Sequence, residues 1–206
     1  NSYHGETVAA MSVGDVALFT DTYKPLLLDT FKVPSPDCYL REEGMSWEAH
    51  SRSMFAHMER TLAEHHQEIA AVIVEPLIQG AGGMRMHSPQ VLKTLRRLCD
   101  QAGVLLIFDE IFTGFGRTGE MFAANRAGVT PDIMCLGKAI TGGITPLAAT
   151  IASSKVYSAF HTENPDHALM HGPTYTGHAL ACAVANAGLD LFADGSLIKR
   201  VKKLEA

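Results

Sequence analysis

Short, almost purely apolar segments that end at a charged residue constrain this chain more than any other feature. One is Val104–Asp109, and another is Ile133–Leu136, which leads through a glycine to Lys138. Strands covered by helices on both faces are typically apolar throughout, whereas half-exposed strands alternate between apolar and polar residues. Because helical patterns separate these segments, the sequence predicts an α/β fold with a mostly parallel sheet flanked by helices.

Seven segments have a recognisable secondary-structure pattern. Strands are predicted at Ala71–Glu75, Val104–Asp109, Ile133–Leu136 and Leu147–Ser153. Apolar residues at helical spacing predict helices at Trp47–Ile69, Ser88–Gln101 and Gly177–Phe192. Ser88 followed by a proline is a typical helix start. The prolines and mixed charges of Pro25–Gly44 instead indicate a surface excursion.

Composition excludes several classes of protein. The chain has 206 residues and is 47% hydrophobic, which suffices for one sizeable domain with a core. A net charge of -5 argues against a nucleic-acid partner, and no run of about 18 apolar residues predicts a membrane span. Four scattered cysteines without a CxxC pair predict free thiols and a cytoplasmic location.

Both ends of the sequence are unusual for a whole protein. Asn1 is not an initiator methionine, and Leu197–Ala206 begins a charged amphipathic helix with nothing after it to pack on. We therefore expect the chain to be an internal fragment of a larger protein.

Asp109 and Lys138 form the pair with the clearest chemical meaning. Each follows a predicted buried strand, and 29 residues separate them. Open α/β sheets bind their ligands at the carboxyl ends of the strands. There, a lysine can form a Schiff base with pyridoxal phosphate, and an aspartate can keep the pyridine nitrogen protonated. Two simpler interpretations stay open, namely an aspartate that caps the next segment and a solvated loop lysine.

Two glycine-rich stretches could also contribute to a site. Gly114–Gly119 does not have the GxGxxG spacing of a dinucleotide site, so we interpret it as a shaped loop that carries Arg117. His171–Gly177 precedes a predicted helix, where hydroxyls and backbone amides can bind an anion. Simple capping of that helix by Thr174 or Thr176 is an equally good interpretation.

Other catalytic patterns have no support in the sequence. The ten histidines include no HExxH motif and no Cys/His ligand spacing, so no metal site is predicted. No GxSxG elbow occurs, which argues against serine hydrolase chemistry.

The larger blocks of sequence, taken together, resemble the class III (omega) aminotransferases of PLP fold type I. In chain order they are VIVEP, QGAGGM, FDEIFTGFGRTG, PDIMCLGKAITGG and HGPTYTGHALACAVANA. The resemblance implies that residues 1–194 form the central part of the PLP-binding large domain. Residues 195–206 are then the start of the segment that leads into a small C-terminal domain. A homodimer with a shared active site is implied as well.

Some blocks most resemble the members of this class that act in biotin biosynthesis. These blocks are Tyr3–Gly5, Ala10–Val13, Gly80–Met86 and Met170–Thr174. Related ornithine- and aminobutyrate-type enzymes usually carry glutamine where Phe112 stands and serine where Pro173 stands. The implied reaction is transamination of 8-amino-7-oxononanoate to 7,8-diaminononanoate with S-adenosylmethionine as amino donor. The alternatives are a class III aminotransferase with another amine donor and a non-catalytic scaffold of the same fold.

The resemblance also implies which residues hold the cofactor. Lys138 is expected to be the Schiff-base lysine and proton shuttle, and Asp109 the partner of the pyridine nitrogen. Pro173 and Thr174 are expected to meet the cofactor phosphate from the neighbouring subunit.

Three further residues are implied to shape the substrate pocket. Tyr3 is expected to lie over the cofactor ring, with Gly172 lining the pocket, while Arg117 matches an active-site arginine whose partner group is open. The family's Gly-Ser phosphate loop, its N-terminal substrate aromatics and its C-terminal carboxylate-binding arginine have no counterpart in this sequence. We therefore expect the isolated chain to bind the cofactor poorly.

Overall fold

The computed structural model describes residues 2–39 and 41–205, so that Asn1, Leu40 and Ala206 lie outside the description. The strands are β1 (Ala71–Val74), β2 (Ile78–Gln79), β3 (Arg85–Met86), β4 (Leu105–Asp109), β5 (Ile133–Leu136) and β6 (Ala149–Ala152). The α-helices are α1 (Val8–Val13), α2 (Ala17–Thr20), α3 (Trp47–His65), α4 (Pro89–Ala102), α5 (Ala123–Ala127), α6 (Ser154–Phe160), α7 (Ala179–Asp190) and α8 (Ser196–Glu205). Short 3₁₀ segments occur at Asp21–Leu26, Lys138–Thr141 and Pro165–His167.

A four-stranded sheet in the order β1-β4-β5-β6 forms the centre of the fold. Strands β1, β4 and β5 are parallel, and β6 pairs antiparallel with β5 at the edge. The predicted α/β class and mostly parallel sheet are therefore confirmed, and all four predicted strands are present. Leu106 and Phe108 of β4 are fully buried, as expected for a central strand covered on both faces.

Helix α4 shows how the sequence positions this sheet. The Ser88 hydroxyl accepts a hydrogen bond from the backbone N–H of Gln90, and Gly103 ends the helix in the left-handed conformation (φ 71°). The helix buries one apolar stripe against the sheet. The core residues that α4 and β4 contribute are Val91, Leu92, Leu95, Cys99, Leu106 and Phe108.

The start of α7 excludes one of the two interpretations that the sequence left open. Neither Thr174 nor Thr176 caps this helix, because His178 is the N-cap and its Nδ1 accepts a hydrogen bond from Ala181 N–H at 3.4 Å. Gly177, at φ 68°, turns the chain between the threonines and the helix. Helix α7 then packs on the 3₁₀ segment that begins at Lys138, leaving much of its surface exposed.

Helix α8 corrects a prediction, since it does have a packing partner. A methyl group added to Gly116 would meet the Ile198 side chain at 3.2 Å, and Val201 lies beside it. Lys202 Nζ pairs with Glu120 Oε1 at 2.5 Å. The partner is the loop after β4, which the helical pattern of the last residues could not reveal.

The excursion predicted at Pro25–Gly44 includes Leu40, which lies outside the described residues; its described residues are mostly exposed and have little regular structure beyond residue 26. Cys38 is its buried anchor, with Sγ 2.8 Å from the Ser51 hydroxyl. The four cysteines are unpaired, as the sequence predicts. Within the described residues, no helix has the length and apolar character needed to cross a membrane.

Glu110 is a fully buried carboxylate (0% exposed) that connects the end of β4 to helix α5. Its Oε1 accepts a hydrogen bond from Ala124 N–H at 2.7 Å. Its Oε2 accepts from Ala123 N–H at 3.0 Å and from the Thr113 hydroxyl at 2.7 Å. Burial raises the pKa of this carboxyl, and the three donors act in the opposite direction. The side chain satisfies N–H groups at the start of α5 that have no partner within the helix.

We expect Glu110→Ala to lower the free energy of unfolding by about 3–5 kcal/mol, because buried donors lose their acceptor and a cavity remains. The melting temperature should fall by on the order of 10 °C, measured by circular dichroism. Glu163→Ala, at an exposed glutamate, is the control and should change stability by less than about 0.5 kcal/mol. Equal stability of the two variants would contradict the capping role.

Candidate active site

Asp109 lies at the carboxyl end of β4 and is 4% exposed. Its Oδ1 accepts a hydrogen bond from Ile111 N–H at 3.0 Å, while its Oδ2 lies 2.8 Å from His4 Nδ1. The first contact is the simple capping interaction considered for the sequence. The second contact adds a buried histidine as a partner. Both oxygens of the Asp109 carboxylate are therefore engaged, and the orientation of the carboxylate is fixed.

His4 is a site residue that the sequence reasoning missed as an individual residue. Its side chain is 2% exposed, and Nδ1 lies 2.8 Å from Asp109 Oδ2, a distance at which a proton on Nδ1 is donated to the carboxylate. Its Nε2 is buried without a hydrogen-bond partner among the described residues. A buried polar atom without a partner is costly, which is typical of a functional position. The only sequence signal for His4 was its place in the Tyr-His-Gly block. Its contact with Asp109 could not be inferred from a local pattern, because the two residues are 105 positions apart.

Lys138 reaches the same edge of the sheet from the neighbouring strand. Asp109 is in register with Cys135, and Glu110 N–H donates to Cys135 O at 2.9 Å. Lys138 follows three residues later, and Ile111 would lie 3.2 Å from a methyl group added to Gly137. The loops that carry the acid and the amine are therefore in contact.

The backbone at Lys138 is unusual. Its φ is 47°, in the left-handed region that non-glycine residues rarely adopt and that often marks functional sites. The side chain is exposed, and within the described residues it makes no hydrogen bond or ion pair. The amine is therefore available to a ligand.

Glu75 joins three segments at this edge of the sheet, and sequence reasoning did not single it out. It is buried just after β1, where Oε1 accepts from Tyr3 N–H at 3.0 Å and Oε2 from Gly80 N–H at 2.9 Å. Burial raises the pKa of the Glu75 carboxyl, and the two N–H donors oppose this shift. The segment of Tyr3 and the turn after β2 are thereby held beside Asp109.

Tyr3 is fixed both by its backbone and by its ring. The ring meets Phe19 edge-on, with centroids 5.3 Å apart. Its hydroxyl donates to Glu6 Oε1 at 3.4 Å, and burial followed by the Glu6 charge raises the pKa of Tyr3. These contacts of Tyr3 therefore hold in place the segment that also carries His4.

Arg117 lies in the glycine-rich loop after β4, and no α-helix opens within Gly114–Gly119, as predicted. Its guanidinium carbon is 4.5 Å from the centre of the Phe112 ring. Phe112 in turn lies against Gly80, so this loop contacts the turn that Glu75 holds.

Gly172, Pro173 and Thr174 are not joined to this cluster. All three are exposed, and no hydrogen bond links them to Tyr3, Asp109 or Lys138 within residues 2–39 and 41–205. Their expected contacts with the cofactor phosphate and the substrate stay predictions. Within the same residues, no group of histidine, cysteine and acidic side chains could hold a metal ion.

The donor set at this edge of the sheet fits pyridoxal phosphate. A buried carboxylate with a fixed orientation suits a protonated pyridine nitrogen, and an unpaired amine suits the aldehyde carbon. The two groups follow parallel strands that lie about 4.8 Å apart, a spacing compatible with opposite ends of one small ring. His4 contacts Oδ2 of this carboxylate, and Ile111 N–H donates to Oδ1.

Comparison with known proteins agrees with this geometry. The family description "Aminotransferase class-III" matches residues 1–206. A relative from Geobacter sulfurreducens, named adenosylmethionine-8-amino-7-oxononanoate aminotransferase, is 45% identical over 100% of this chain and 47% of its own length. The chain therefore spans about half the length of the curated relatives it matches.

Two solved structures share the fold. The adenosylmethionine-8-amino-7-oxononanoate aminotransferase of Methanocaldococcus jannaschii superposes with a TM-score of 0.84 at 36% identity, covering 97% of this chain and 44% of that one. An amine transaminase from an uncultivated Pseudomonas species, in its PLP-bound form, gives a TM-score of 0.84 at 38% identity. That match covers 96% of this chain and 45% of the other.

Proposed function

The chain belongs to the class III aminotransferases, and from this premise we propose that a full-length protein carrying it is the biotin-pathway member of the family. Its reaction is amination of 8-amino-7-oxononanoate to 7,8-diaminononanoate, with S-adenosylmethionine as donor. The observation that carries the catalytic part is the buried Asp109–His4 pair on the same sheet edge as the unpaired Lys138. The choice of substrates rests on the names of the relatives.

The proposed cofactor is pyridoxal 5'-phosphate, held by Lys138 and Asp109, with Pro173 and Thr174 contributing from the neighbouring subunit of a homodimer. When bound, it supplies an electron sink for negative charge at the substrate carbon. Asp109 keeps the proton on the pyridine nitrogen, and the hydrogen bond from His4 Nδ1 holds that carboxylate in one orientation. A fixed charge placed before the reaction needs no rearrangement in the transition state.

Lys138 has two tasks in this proposal. Its Nζ would hold the aldehyde carbon of the cofactor at rest, and as a free amine it would accept the proton that leaves the reacting carbon of the substrate. The exposed side chain on a short 3₁₀ turn leaves the amine free to move between these positions. Tyr3, Gly172 and Arg117 are proposed to line the substrate pocket, and the location is proposed to be cytoplasmic.

A donor panel with the full-length, cofactor-loaded protein tests this function. We expect S-adenosylmethionine, but neither ornithine nor β-alanine, to support formation of 7,8-diaminononanoate, followed by chromatography. Amination with one of the other donors would leave the family intact and overturn the substrate assignment.

A separate measurement tests the catalytic proposal against a non-catalytic scaffold. With pyridoxal phosphate, the full-length protein should gain an absorption band above about 400 nm. Borohydride treatment should then add the reduced cofactor mass to a peptide containing Lys138. Absence of both the absorption band and the labelled peptide would exclude the proposal that this site is catalytic.

A further inference from the structure

Ile111 contacts both of the segments that carry the proposed catalytic groups. Its backbone N–H donates a hydrogen bond to Asp109 Oδ1 at 3.0 Å. Its side chain lies against Gly137, where an added methyl group would be 3.2 Å from Ile111 Cγ2 and 3.5 Å from Cγ1. Gly137 is buried and directly precedes Lys138. One residue therefore touches the acid through its backbone and the segment of the amine through its side chain.

The absence of a side chain at Gly137 is explained by space and not by backbone conformation. Its φ of -169° and ψ of -158° are extended values that any residue can adopt. A side chain at this position would instead be crowded by Ile111, because carbon atoms in contact normally lie about 3.5–4.0 Å apart. Lys138 differs, since its φ of 47° persists only where the surrounding structure holds it. The contact at Gly137 is the first part of that surrounding structure.

The later residues of the turn that begins at Lys138 are also held. Ile140 is 8% exposed and belongs to a small apolar cluster with Ala185 of α7. The buried Thr141 hydroxyl donates to Thr145 O at 2.6 Å. Because these residues are fixed, crowding at the start of the turn is not easily relieved by a movement of the whole turn.

We propose that Ile111 is a positioning residue that sets the place of Lys138 relative to Asp109 through its contact with Gly137. The assignment deepens the proposed function and rests on it. Isoleucine is branched at Cβ and has few rotamers, so its side chain cannot readily turn away from a larger residue 137. A methyl group at that position therefore presses on the residue whose N–H orients the carboxylate, and it displaces the amine as well.

Gly137→Ala in the full-length, cofactor-loaded enzyme is the first test. We expect kcat to fall about tenfold, because small displacements of reacting groups reduce rates steeply, while KM stays within about twofold. The pH at which the absorption band above about 400 nm titrates should move by about half a unit or more, because the surroundings of the amine change. A purely structural role would lower the melting temperature without moving this titration.

A second substitution at Ile111 tests whether its side chain is responsible. Ile111→Ala removes Cγ1 and Cγ2, the two atoms nearest to the added methyl group, and should raise the kcat of Gly137→Ala at least about threefold. Ile111→Val keeps both atoms and should give no recovery. Gly188→Ala on α7 is the matched control. Its methyl group would lie 3.4 Å from Ile140 O, an ordinary contact distance, and kcat should stay within about twofold.

Two outcomes overturn the assignment. The first is a Gly137→Ala enzyme in which either kcat or the titration of the band is unchanged, and the second is no greater recovery with Ile111→Ala than with Ile111→Val. If Gly137→Ala does not fold, an unchanged titration in the single variant Ile111→Ala is decisive against the assignment, and a moved one supports it. An unmutated enzyme without the band, or without transamination, would overturn the proposed function and this assignment with it, a result visible before any variant is compared.

Discussion

Replacing Lys138 with alanine is expected to reduce transamination by roughly 10⁴-fold or more, the largest effect of any single substitution in this chain. The variant loses both the amine that attaches to the cofactor and the base that moves the proton. No other lysine can substitute for it, because Lys138 alone follows β5 at the edge that holds Asp109. The rate should be measured as kcat with saturating substrates.

Lys138→Arg and Lys93→Ala are matched controls for this prediction. The arginine keeps the positive charge but cannot act as nucleophile or base near neutral pH, so it should be as inactive as alanine. Lys93 is exposed on α4, and its loss should leave kcat within about twofold. Melting temperatures of all three variants should stay close to the unmutated value, since Lys138 is exposed and unpaired. Retention of a tenth of the activity by Lys138→Ala would exclude its assignment as the catalytic lysine.

The sheet and the two principal site residues could be predicted because they depend on local patterns. Val104–Asp109 and Ile133–Leu136 are apolar throughout, and an apolar run that ends at an acid predicts both a buried strand and a charge at its end. Since β4 and β5 are parallel neighbours, the strand pattern alone brings Asp109 and Lys138 to one edge. The start of α4 was also predictable, because Ser88 caps it and a proline follows in the first turn.

The supporting residues could not be predicted, because their partners are distant in sequence. His4 meets Asp109 across 105 residues, and Glu75 meets the backbone of Tyr3 across 72. A buried histidine and a buried glutamate have no periodicity that distinguishes them from exposed ones. The packing of α8 on the Phe115–Gly116 loop is hidden for the same reason, since a loop has no apolar repeat to match.

The alternative interpretation, in which Thr174 or Thr176 caps α7, fails for a different reason. Threonine near a helix start has a strong local preference, yet Gly177 at φ 68° redirects the chain after the threonines. His178 then takes the capping position. A glycine between a candidate cap and an apolar helix is thus a signal that the helix begins later.

Substitution of Asp109 by asparagine is expected to lower kcat/KM by about 10²–10⁴-fold. Asparagine has nearly the same shape, but it is neutral and cannot hold the proton on the pyridine nitrogen. It also offers one acceptor where Asp109 has two, so it cannot serve both His4 Nδ1 and Ile111 N–H. The visible absorption band should change together with the rate, because the same proton governs both.

Asp132→Asn is the matched control, because Asp132 is a structural aspartate near the start of β5. Its Oδ2 accepts from Leu106 N–H at 2.8 Å and from Arg96 at 2.7 Å, and these contacts hold the pKa of the Asp132 carboxyl below its usual value. This variant should lose stability and keep its kcat. For His4→Gln, where the Asp109 charge remains, we expect a smaller loss of about tenfold. If Asp109→Asn stayed within threefold of the unmutated enzyme, the Asp109 carboxylate would not be the partner of the cofactor ring.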